Sequence, residues 1–152
     1  MNPAIILQAA AKPDLAAVFL LEQAVFGSHS YPDFFFRQVF DCWHDGLMIA
    51  RDSDTDKLLG YQLAVRASEP TDYWILSLAV CPQHRGKGVG KALIRAGIAA
   101  APAGIRRILL TVSPTNPARH LYEAEGFVEI GFEADYFGEG EARILMALSV
   151  TP

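Results

Sequence analysis

The chain has 152 residues and a mass of 16.6 kDa, enough for one domain with its own core and too short for two comfortable ones. Its hydrophobic share of 51%, charged share of 20% and mean hydropathy of +0.19 exclude an intrinsically disordered chain. The longest stretch without Asp, Glu, Lys or Arg has twelve residues, Tyr73 to His84, so no transmembrane helix of roughly 20 residues is expected. No basic segment precedes the first apolar run, and two cysteines form neither a disulfide framework nor a metal spacing. We therefore expect a cytoplasmic protein without a signal peptide.

The charges are distributed unevenly along the chain. The net charge is −4, yet the fifty residues from Tyr73 to Tyr122 contain seven Lys or Arg and no Asp or Glu. The remaining 102 residues carry six basic and seventeen acidic side chains. Such a basic segment indicates either an anion site whose acidic surroundings attract a cationic partner, or chance clustering on a solvated face. Broad nucleic-acid binding is not expected, because the acidic remainder and the pI of about 5.5 do not suit a phosphate-coating surface.

The spacing of apolar residues alternates between a period of two, typical of strands, and about 3.6, typical of helices. In chain order it predicts a strand at 4–10, helices from Pro13 to Phe26 and from Tyr31 to about Cys42, strands at 46–51, 58–66 and 73–80, a helix at 88–100, a strand at 107–112, a helix from about Asn116 to Glu125, and strands at 127–134 and 141–150. Gly126 suits the residue that ends the last helix. No repeat or linker interrupts these elements, so we expect a single domain over residues 1–152. Their order predicts an α/β fold with a mixed sheet and helices on both sides.

A glycine-rich turn, within LAVCPQHRGKGVGKAL at residues 78–93, joins the end of one strand to the start of a helix. Glycine is needed where φ is positive or where the backbone must approach a ligand closely. A helix N-terminus behind such a turn presents unpaired N–H groups that suit a phosphate or pyrophosphate. The basic residues Lys87, Lys91 and Arg95 follow at a spacing of four and line one side of the helix start.

Two common phosphate-binding patterns do not fit this turn. Ala92 stands where the Walker pattern requires Ser or Thr, and Lys91 stands where the dinucleotide pattern requires its third glycine. The pattern that remains is Arg85-x-x-Gly88-x-Gly90, and a plain tight turn is the alternative interpretation.

This remaining pattern, after a strand ending in LAVCP and before a helix starting Lys91-Ala-Leu, resembles the acetyl-CoA motif of the GNAT N-acetyltransferase superfamily. Two later segments, LTVSPTNPARHLYEAEGF (110–127) and RILMAL (143–148), are similar to the family's second signature and closing strand, in the family's order and spacing. The resemblance implies a GNAT-like α+β domain with a mostly antiparallel mixed sheet, acting as a monomer or homodimer. It also implies acetyl-CoA as co-substrate, with no metal, no nucleic acid and no membrane as partner.

The resemblance implies roles for particular residues. The Val80 N–H would polarise the thioester carbonyl, and Tyr122 would protonate the departing thiolate or simply pack in its helix. Asn116 would contact the pantetheine or cap its helix, and Cys81 would carry the acetyl group or simply be buried. The positions implied to bind CoA are Leu78, Ala79, Val80, Arg85, Gly86, Lys87, Gly88, Val89, Gly90, Lys91, Asn116 and Arg119, and those implied to bind the acceptor are Tyr31 and Tyr136.

The C-terminal part of the chain bears on the acceptor. Ala134-Asp135-Tyr136-Phe137, followed by Glu141-Ala-Arg-Ile-Leu-Met, resembles the ending of ribosomal-protein alanine N-acetyltransferases, which act on protein N-terminal amines. Where that subfamily carries a glutamate base, this chain has Thr111, and the acid and alanine expected after Glu141 are Ala142 and Arg143. The base is then a water chain or one of six groups: Glu22, Asp33, Glu69, Asp72, His84 and Glu133.

Three functions remain open at this point. The expected one is acetylation of the α-amine at a protein or peptide N-terminus. A small-molecule amine, such as an amino acid, a polyamine or a drug, is the alternative acceptor. A CoA-binding sensor domain without turnover is the alternative of another class.

Overall fold

The computed structural model describes residues 4–150, and its strands and helices follow the predicted order. They are β1 Ile5–Ala9, α1 Leu15–Phe26, α2 Asp33–Trp43, β2 Leu47–Asp52, β3 Leu58–Arg66, β4 Asp72–Val80, α3 Val89–Ala99, β5 Arg107–Val112, α4 Ala118–Ala124, β6 Val128–Glu133 and β7 Arg143–Ser149. The strands are hydrogen-bonded in the order β1-β2-β3-β4-β5-β7-β6. Strands β4 and β5 pair in parallel, whereas β1 with β2, β2 with β3, β5 with β7 and β6 with β7 pair antiparallel. The prediction of a mixed, mostly antiparallel sheet is confirmed.

Several element boundaries differ from the predicted ones by one or two residues, and a proline accounts for the difference at two helix starts. α2 begins at Asp33 rather than Tyr31, and α4 begins at Ala118 rather than Asn116. Both helices follow a proline, which fixes φ and restricts the residue before it to extended backbone, so the residue preceding each proline lies outside the helix.

The described residues form two compact units, one built from residues up to Ala64 together with Ser77–Ala99, the other from Val65–Leu76 together with the chain from Ala100 onward. The single domain over residues 1–152 stays a prediction, and its first three and last two residues lie outside the described range.

In the first unit, helices cover both faces of the sheet. Gly60 on β3 faces α3, because a Cβ at Gly60 would stand 3.1 and 3.2 Å from side-chain carbons of Leu93 and Val89. Tyr61, the next residue, faces the opposite side, where its ring meets the Phe36 ring of α2 edge-on at 5.8 Å. Successive residues of a strand point to opposite faces, so α3 and α2 lie on different sides of β3.

An apolar cluster ties the start of α3 to this part of the sheet. Val89 and Leu93 of α3 pack with Ala50 and Leu59, and all four are at most 1% exposed. Leu78 and Val80, at the end of β4, pack against the same cluster. Full burial of each Val or Leu side chain contributes about 1.5 to 3 kcal/mol, so this cluster fixes the first turn of α3 beside the end of β4.

In the second unit, a side-chain pair fastens the start of β4 to β5. The Arg107 guanidinium donates through Nε and Nη2 to the two carboxylate oxygens of Asp72, at 3.0 and 2.9 Å. These bonds hold the pKa of the Asp72 carboxyl below its usual value. The two residues are also direct partners in the parallel ladder, so the pair fixes its register.

We expect the Gly60→Ala substitution to destabilise the fold. Its methyl carbon would stand 2.7 Å from the Ala79 carbonyl oxygen, which is backbone and cannot turn aside. Overpacking of this kind costs about 1 to 3 kcal/mol, or roughly 2 to 10 °C in melting temperature for a chain of this size. Gly131→Ala is the matched control, because its methyl carbon meets only Leu145 atoms at 3.7 and 3.8 Å. Equal melting temperatures for the two variants would contradict the close packing at Gly60.

Candidate functional site

The turn after β4 is shaped by one proline and two glycines. The Cys81 N–H donates to the Leu59 carbonyl at 2.8 Å, and a 3-10 turn over Pro82–His84 follows. Gly86 and Gly88 have φ of +76° and +85°, in the left-handed region that glycine favours. No atom lies within 4 Å of the position of a Cβ at either glycine. These glycines are therefore required by backbone conformation, and the space beside them is open.

Helix α3 starts directly after this turn. Its first hydrogen bond runs from the Ala92 N–H to the Gly88 carbonyl at 3.0 Å. The N–H groups of Val89, Gly90 and Lys91 have no carbonyl one turn earlier within the helix to bond. The first turn of α3 contains no acidic residue, and Lys91 on it is exposed. Open amides, a helix dipole and a lysine together suit the oxygens of a phosphate or pyrophosphate.

The end of β4 lies beside this helix start in the same unit. Leu78 and Val80 are half-buried against the cluster that contains Val89, so the structure brings these three predicted residues together. Ala79, between Leu78 and Val80, is 2% exposed. The Cys81 thiol donates to Gln83 Oε1 at 2.8 Å. The end of β4 and the start of α3 therefore pack against the same apolar cluster in the first unit.

The first unit also contains a buried carboxylate, Glu22 on α1, which is 1% exposed. Its oxygen Oε1 accepts hydrogen bonds from the hydroxyls of Tyr61 and Ser77, the latter at 2.8 Å. Its oxygen Oε2 accepts from the Tyr31 backbone N–H at 2.9 Å. Sequence reasoning named Glu22 only among six possible bases and missed Tyr61 and Ser77. A serine inside the apolar strand YWILSLAV was the available signal, because a buried hydroxyl requires a partner.

The other candidate bases have different surroundings. Asp72 is held by Arg107 with a lowered pKa, which makes it a weak proton acceptor. Asp33 accepts from the Phe34 N–H at 2.8 Å, and Glu69 accepts from the Thr71 hydroxyl at 3.2 Å. Among the described residues, nothing hydrogen-bonds to the buried Nδ1 of His84. Glu133, at the end of β6, is exposed.

In the second unit, Asn116 and Arg119 both have partners within the turn and helix they belong to. Asn116 Oδ1 accepts from the N–H of Ala118, the first residue of α4, at 2.9 Å, whereas the N-cap position itself is occupied by Pro117. Arg119 Nε donates to Glu123 Oε1 at 2.8 Å on the helix surface. Any anion that binds Arg119 would share the guanidinium with this carboxylate.

Tyr122 is buried on α4, with 6% of its surface exposed. Its ring meets the Phe127 ring edge-on at 5.8 Å. Burial raises the pKa of its hydroxyl, and Arg143 lowers it only in part. The hydroxyl therefore keeps its proton at neutral pH, the state that a proton donor requires.

The remaining residues singled out in the second unit are Thr111 and Tyr136. Thr111 is half-buried on β5 and pairs with Leu145 of β7. Tyr136 is 39% exposed, and its ring meets that of Phe137 at 4.8 Å. The Arg143 guanidinium stands 4.8 Å above the other aromatic ring of this pair, Phe137.

Among the side chains that the structure describes, no three His, Cys, Asp or Glu come together as potential metal ligands. Within residues 4–150, none of the helices has the length and apolar character needed to span a bilayer.

Comparison with known proteins gives a family match. The sequence model of the Acetyltransferase (GNAT) family matches residues 15–127. An N-alpha-acetyltransferase from Sulfurisphaera tokodaii is 36% identical over 76 residues, which cover 48% of this chain and 46% of that protein. A mycothiol acetyltransferase from Propionibacterium freudenreichii is 35% identical over 108 residues, covering 66% of this chain and 34% of that protein. The chain thus spans less than half the length of these curated relatives.

A solved structure shows the same fold. The ribosomal-protein-S18-alanine N-acetyltransferase from Escherichia coli superposes with a TM-score of 0.81 at 20% sequence identity, covering 98% of this chain and 96% of that one. The resemblance that the glycine pattern and the two later segments indicated is confirmed by the family match, and the fold by this superposition.

Proposed function

We propose that this chain, which belongs to the GNAT acetyltransferase family, is one acetyltransferase domain that transfers the acetyl group of acetyl-CoA to a primary amine. We take its acceptor to be the α-amine of a protein or peptide N-terminus. The observation that carries the proposal is the turn at Gly86 and Gly88, whose open left-handed backbone leads into an acid-free helix start. We place the activity in the cytoplasm.

The amides of Arg85 to Lys91 hold the pyrophosphate of CoA in this proposal. A CoA molecule carries about four negative charges, so the basic residues at the turn, Arg85, Lys87 and Lys91, lower the free energy of the bound anion. The strand end Leu78–Val80 pairs with the pantetheine arm and places the thioester beside the Val80 N–H. We also assign to CoA Asn116, which precedes α4, and Arg119, which lies on it.

The reaction is a direct attack. The neutral amine nitrogen forms a bond to the thioester carbonyl carbon, and the carbon–sulfur bond then breaks. The Val80 N–H donates to the carbonyl oxygen while negative charge develops on it. Tyr122, whose hydroxyl is protonated at neutral pH, supplies a proton to the departing thiolate and is reprotonated from water after CoA leaves. The proton that the amine loses passes to water or to one of the other candidate bases, since Asp72 is held by Arg107 and both oxygens of Glu22 are occupied by donors.

The choice of acceptor rests on two observations. The Sulfurisphaera relative is an N-alpha-acetyltransferase, and Thr111 leaves the strand before Asn116 without a carboxylate base. A site without that base favours an amine that is already partly neutral at pH 7. Tyr31 and Tyr136 are the aromatic side chains that we assign to the acceptor.

A small-molecule amine is the second candidate, because a mycothiol acetyltransferase is also among the relatives. A CoA-binding sensor needs the glycine turn but has no use for a protonated tyrosine on α4. Release of free thiol from acetyl-CoA, measured over a panel of peptides and small amines, separates all three functions.

We expect acetyl-CoA to stabilise the fold. At 100 times its dissociation constant the gain is about 2.7 kcal/mol, or roughly 5 to 10 °C in melting temperature. Gly88→Glu should abolish this shift, because the new carboxylate would occupy the open space beside the amides and repel phosphate. Gly104→Glu is the matched control, since Gly104 has a similar φ of +89° with open space around it but lies in the second unit. If acetyl-CoA does not shift the melting temperature of the unmodified protein, the proposal that this chain binds acetyl-CoA is wrong.

We expect Tyr122→Phe to lower kcat by about 100-fold or more while leaving the affinity for acetyl-CoA nearly unchanged. A general acid contributes about 10² to 10⁴ to the rate, and the phenylalanine ring preserves the packing against Phe127. Steady-state kinetics together with the acetyl-CoA melting shift measure both quantities. If turnover stays at the wild-type rate, Tyr122 is a packing residue.

We expect α-amines to be acetylated well ahead of lysine side chains. An α-amine with a pKa of about 7.7 to 8.0 is roughly 10 to 20% neutral at pH 7, whereas a lysine amine at about 10.4 is roughly 0.04% neutral. The difference is on the order of 3 to 4 kcal/mol, and Thr111 supplies no carboxylate to offset it. The test is a peptide with a free N-terminus and an internal lysine, mapped by mass spectrometry. Acetylation mainly at the lysine would overturn this preference.

A further inference from the structure

The buried carboxylate of Glu22 is a feature that the acetyl-transfer chemistry leaves without a role. It lies inside the first unit, and among residues 4–150 no Lys or Arg forms an ion pair with it. Three neutral donors satisfy it instead: the Tyr61 hydroxyl, the Ser77 hydroxyl and the Tyr31 backbone N–H. A buried carboxylate costs several kcal/mol in lost hydration, which only such well-placed donors offset. Because the loss of any of these hydrogen bonds would leave the buried carboxylate incompletely satisfied, Glu22 restricts the positions of the three donors relative to each other.

The three donors come from three separate segments of the unit. Tyr61 belongs to β3, Ser77 to β4, and Tyr31 to the connection between α1 and α2. The Ser77 and Tyr61 hydroxyl oxygens are also 2.9 Å apart, so both strands meet at one carboxylate oxygen. The other oxygen holds the Tyr31 N–H, and therefore the helical connection is fastened to two neighbouring strands through a single side chain.

The ring of Tyr31 is fixed as well as its backbone. It stacks on Phe35 at 4.4 Å and meets Phe36 edge-on at 6.4 Å. Phe36 in turn meets the ring of Tyr61 at 5.8 Å. Both parts of Tyr31 are therefore connected to Tyr61 of β3: the backbone N–H through Glu22, and the ring through Phe36.

The hydrogen bond between Glu22 and Ser77 lies close to the end of β4. Ser77 precedes Val80 by three residues, which is about 10 Å along a strand. A shift of the connection between α1 and α2 would therefore change the distance from Tyr31 to the strand end at which the thioester is placed.

We propose that Glu22 is a positioning residue, which holds Tyr31 at a set distance from the end of β4 so that the acceptor amine meets an ordered binding surface. The inference rests on the proposed function, in which Tyr31 contacts the acceptor. Glu22 does not act as the base, because both of its oxygens are occupied by donors and 1% exposure keeps water and substrate away from it.

The main test replaces Glu22 by methionine, which has a similar length and no acceptor oxygens. We expect Glu22→Met to raise the KM for the acceptor peptide about 10-fold, with the KM for acetyl-CoA and its melting shift within about 2-fold of wild type. Glu22→Gln is the conservative control, since its single carbonyl oxygen still accepts from the Tyr31 N–H while its NH2 donates to the two hydroxyls. It should keep the acceptor KM and kcat within about 3-fold of wild type.

A double substitution tests whether Glu22 acts through Tyr31. Tyr31→Ala should itself raise the acceptor KM, and adding Glu22→Met should raise it no further, because the group that Glu22 positions is gone. Independent, multiplying effects of the two substitutions would overturn the proposal.

The remaining outcomes are also decisive. A folded Glu22→Met variant with an unchanged acceptor KM overturns the positioning role, whereas a wild-type protein that acetylates no amine overturns the proposed function instead. Glu22→Gln keeps the test open if Glu22→Met does not fold. A glutamine variant that loses kcat by about 100-fold at an unchanged acceptor KM would identify Glu22 as the base and overturn the proposal.

Discussion

The close approach of α3 to strand β3 is the constraint on which the rest of the first unit depends. Gly60 removes the side chain that would otherwise stand between the strand and the helix, and Val89 and Leu93 fill the space. Because Val89 is the first residue of α3, the same packing that buries the helix also fixes its N-terminus. The end of β4 packs against the same cluster, so strand end and helix start cannot move apart without opening the core.

This packing also bears on the phosphate site that we propose. A helix start held by apolar contacts needs no side chain to orient it, so its first amides remain available. The left-handed glycines before it leave open space rather than side chains. In the proposed site, the amides bind the phosphate oxygens directly, and the basic residues nearby attract the anion from a distance. We therefore expect phosphate binding to depend on the backbone conformation at Gly86 and Gly88.

The fold and the conformation of the glycine turn were largely predictable from the sequence, because both depend on local patterns. The periodicities gave every strand and helix in order, and the glycine spacing anticipated the left-handed turn. The contacts of Glu22 with Tyr61 and Ser77 could not be predicted, since they join residues 39 and 55 positions apart and no local pattern marks them. The two hydrogen bonds between Asp72 and Arg107, which are 35 positions apart, could not be predicted for the same reason. Because Asp72 is held by Arg107, it is excluded as the base. The sequence alone could not rank it among the six candidates.

In the proposed reaction, the residues assigned to the donor and to the acceptor are specified differently by the sequence. The acetyl donor is the same molecule in every transfer, and we assign its binding to backbone geometry that a short glycine pattern specifies. The side chains that we assign to the acceptor, Tyr31 after α1 and Tyr136 after β6, belong to segments far apart in sequence. Each of these side chains is oriented by partners of its own, Glu22 and Phe35 for Tyr31 and Phe137 for Tyr136. We expect a substitution at such a partner to change the proposed acceptor residues without changing the glycine pattern. The family can therefore be recognised from a few residues around Gly88, whereas in this proposal the choice of acceptor depends on contacts that the three-dimensional structure reveals.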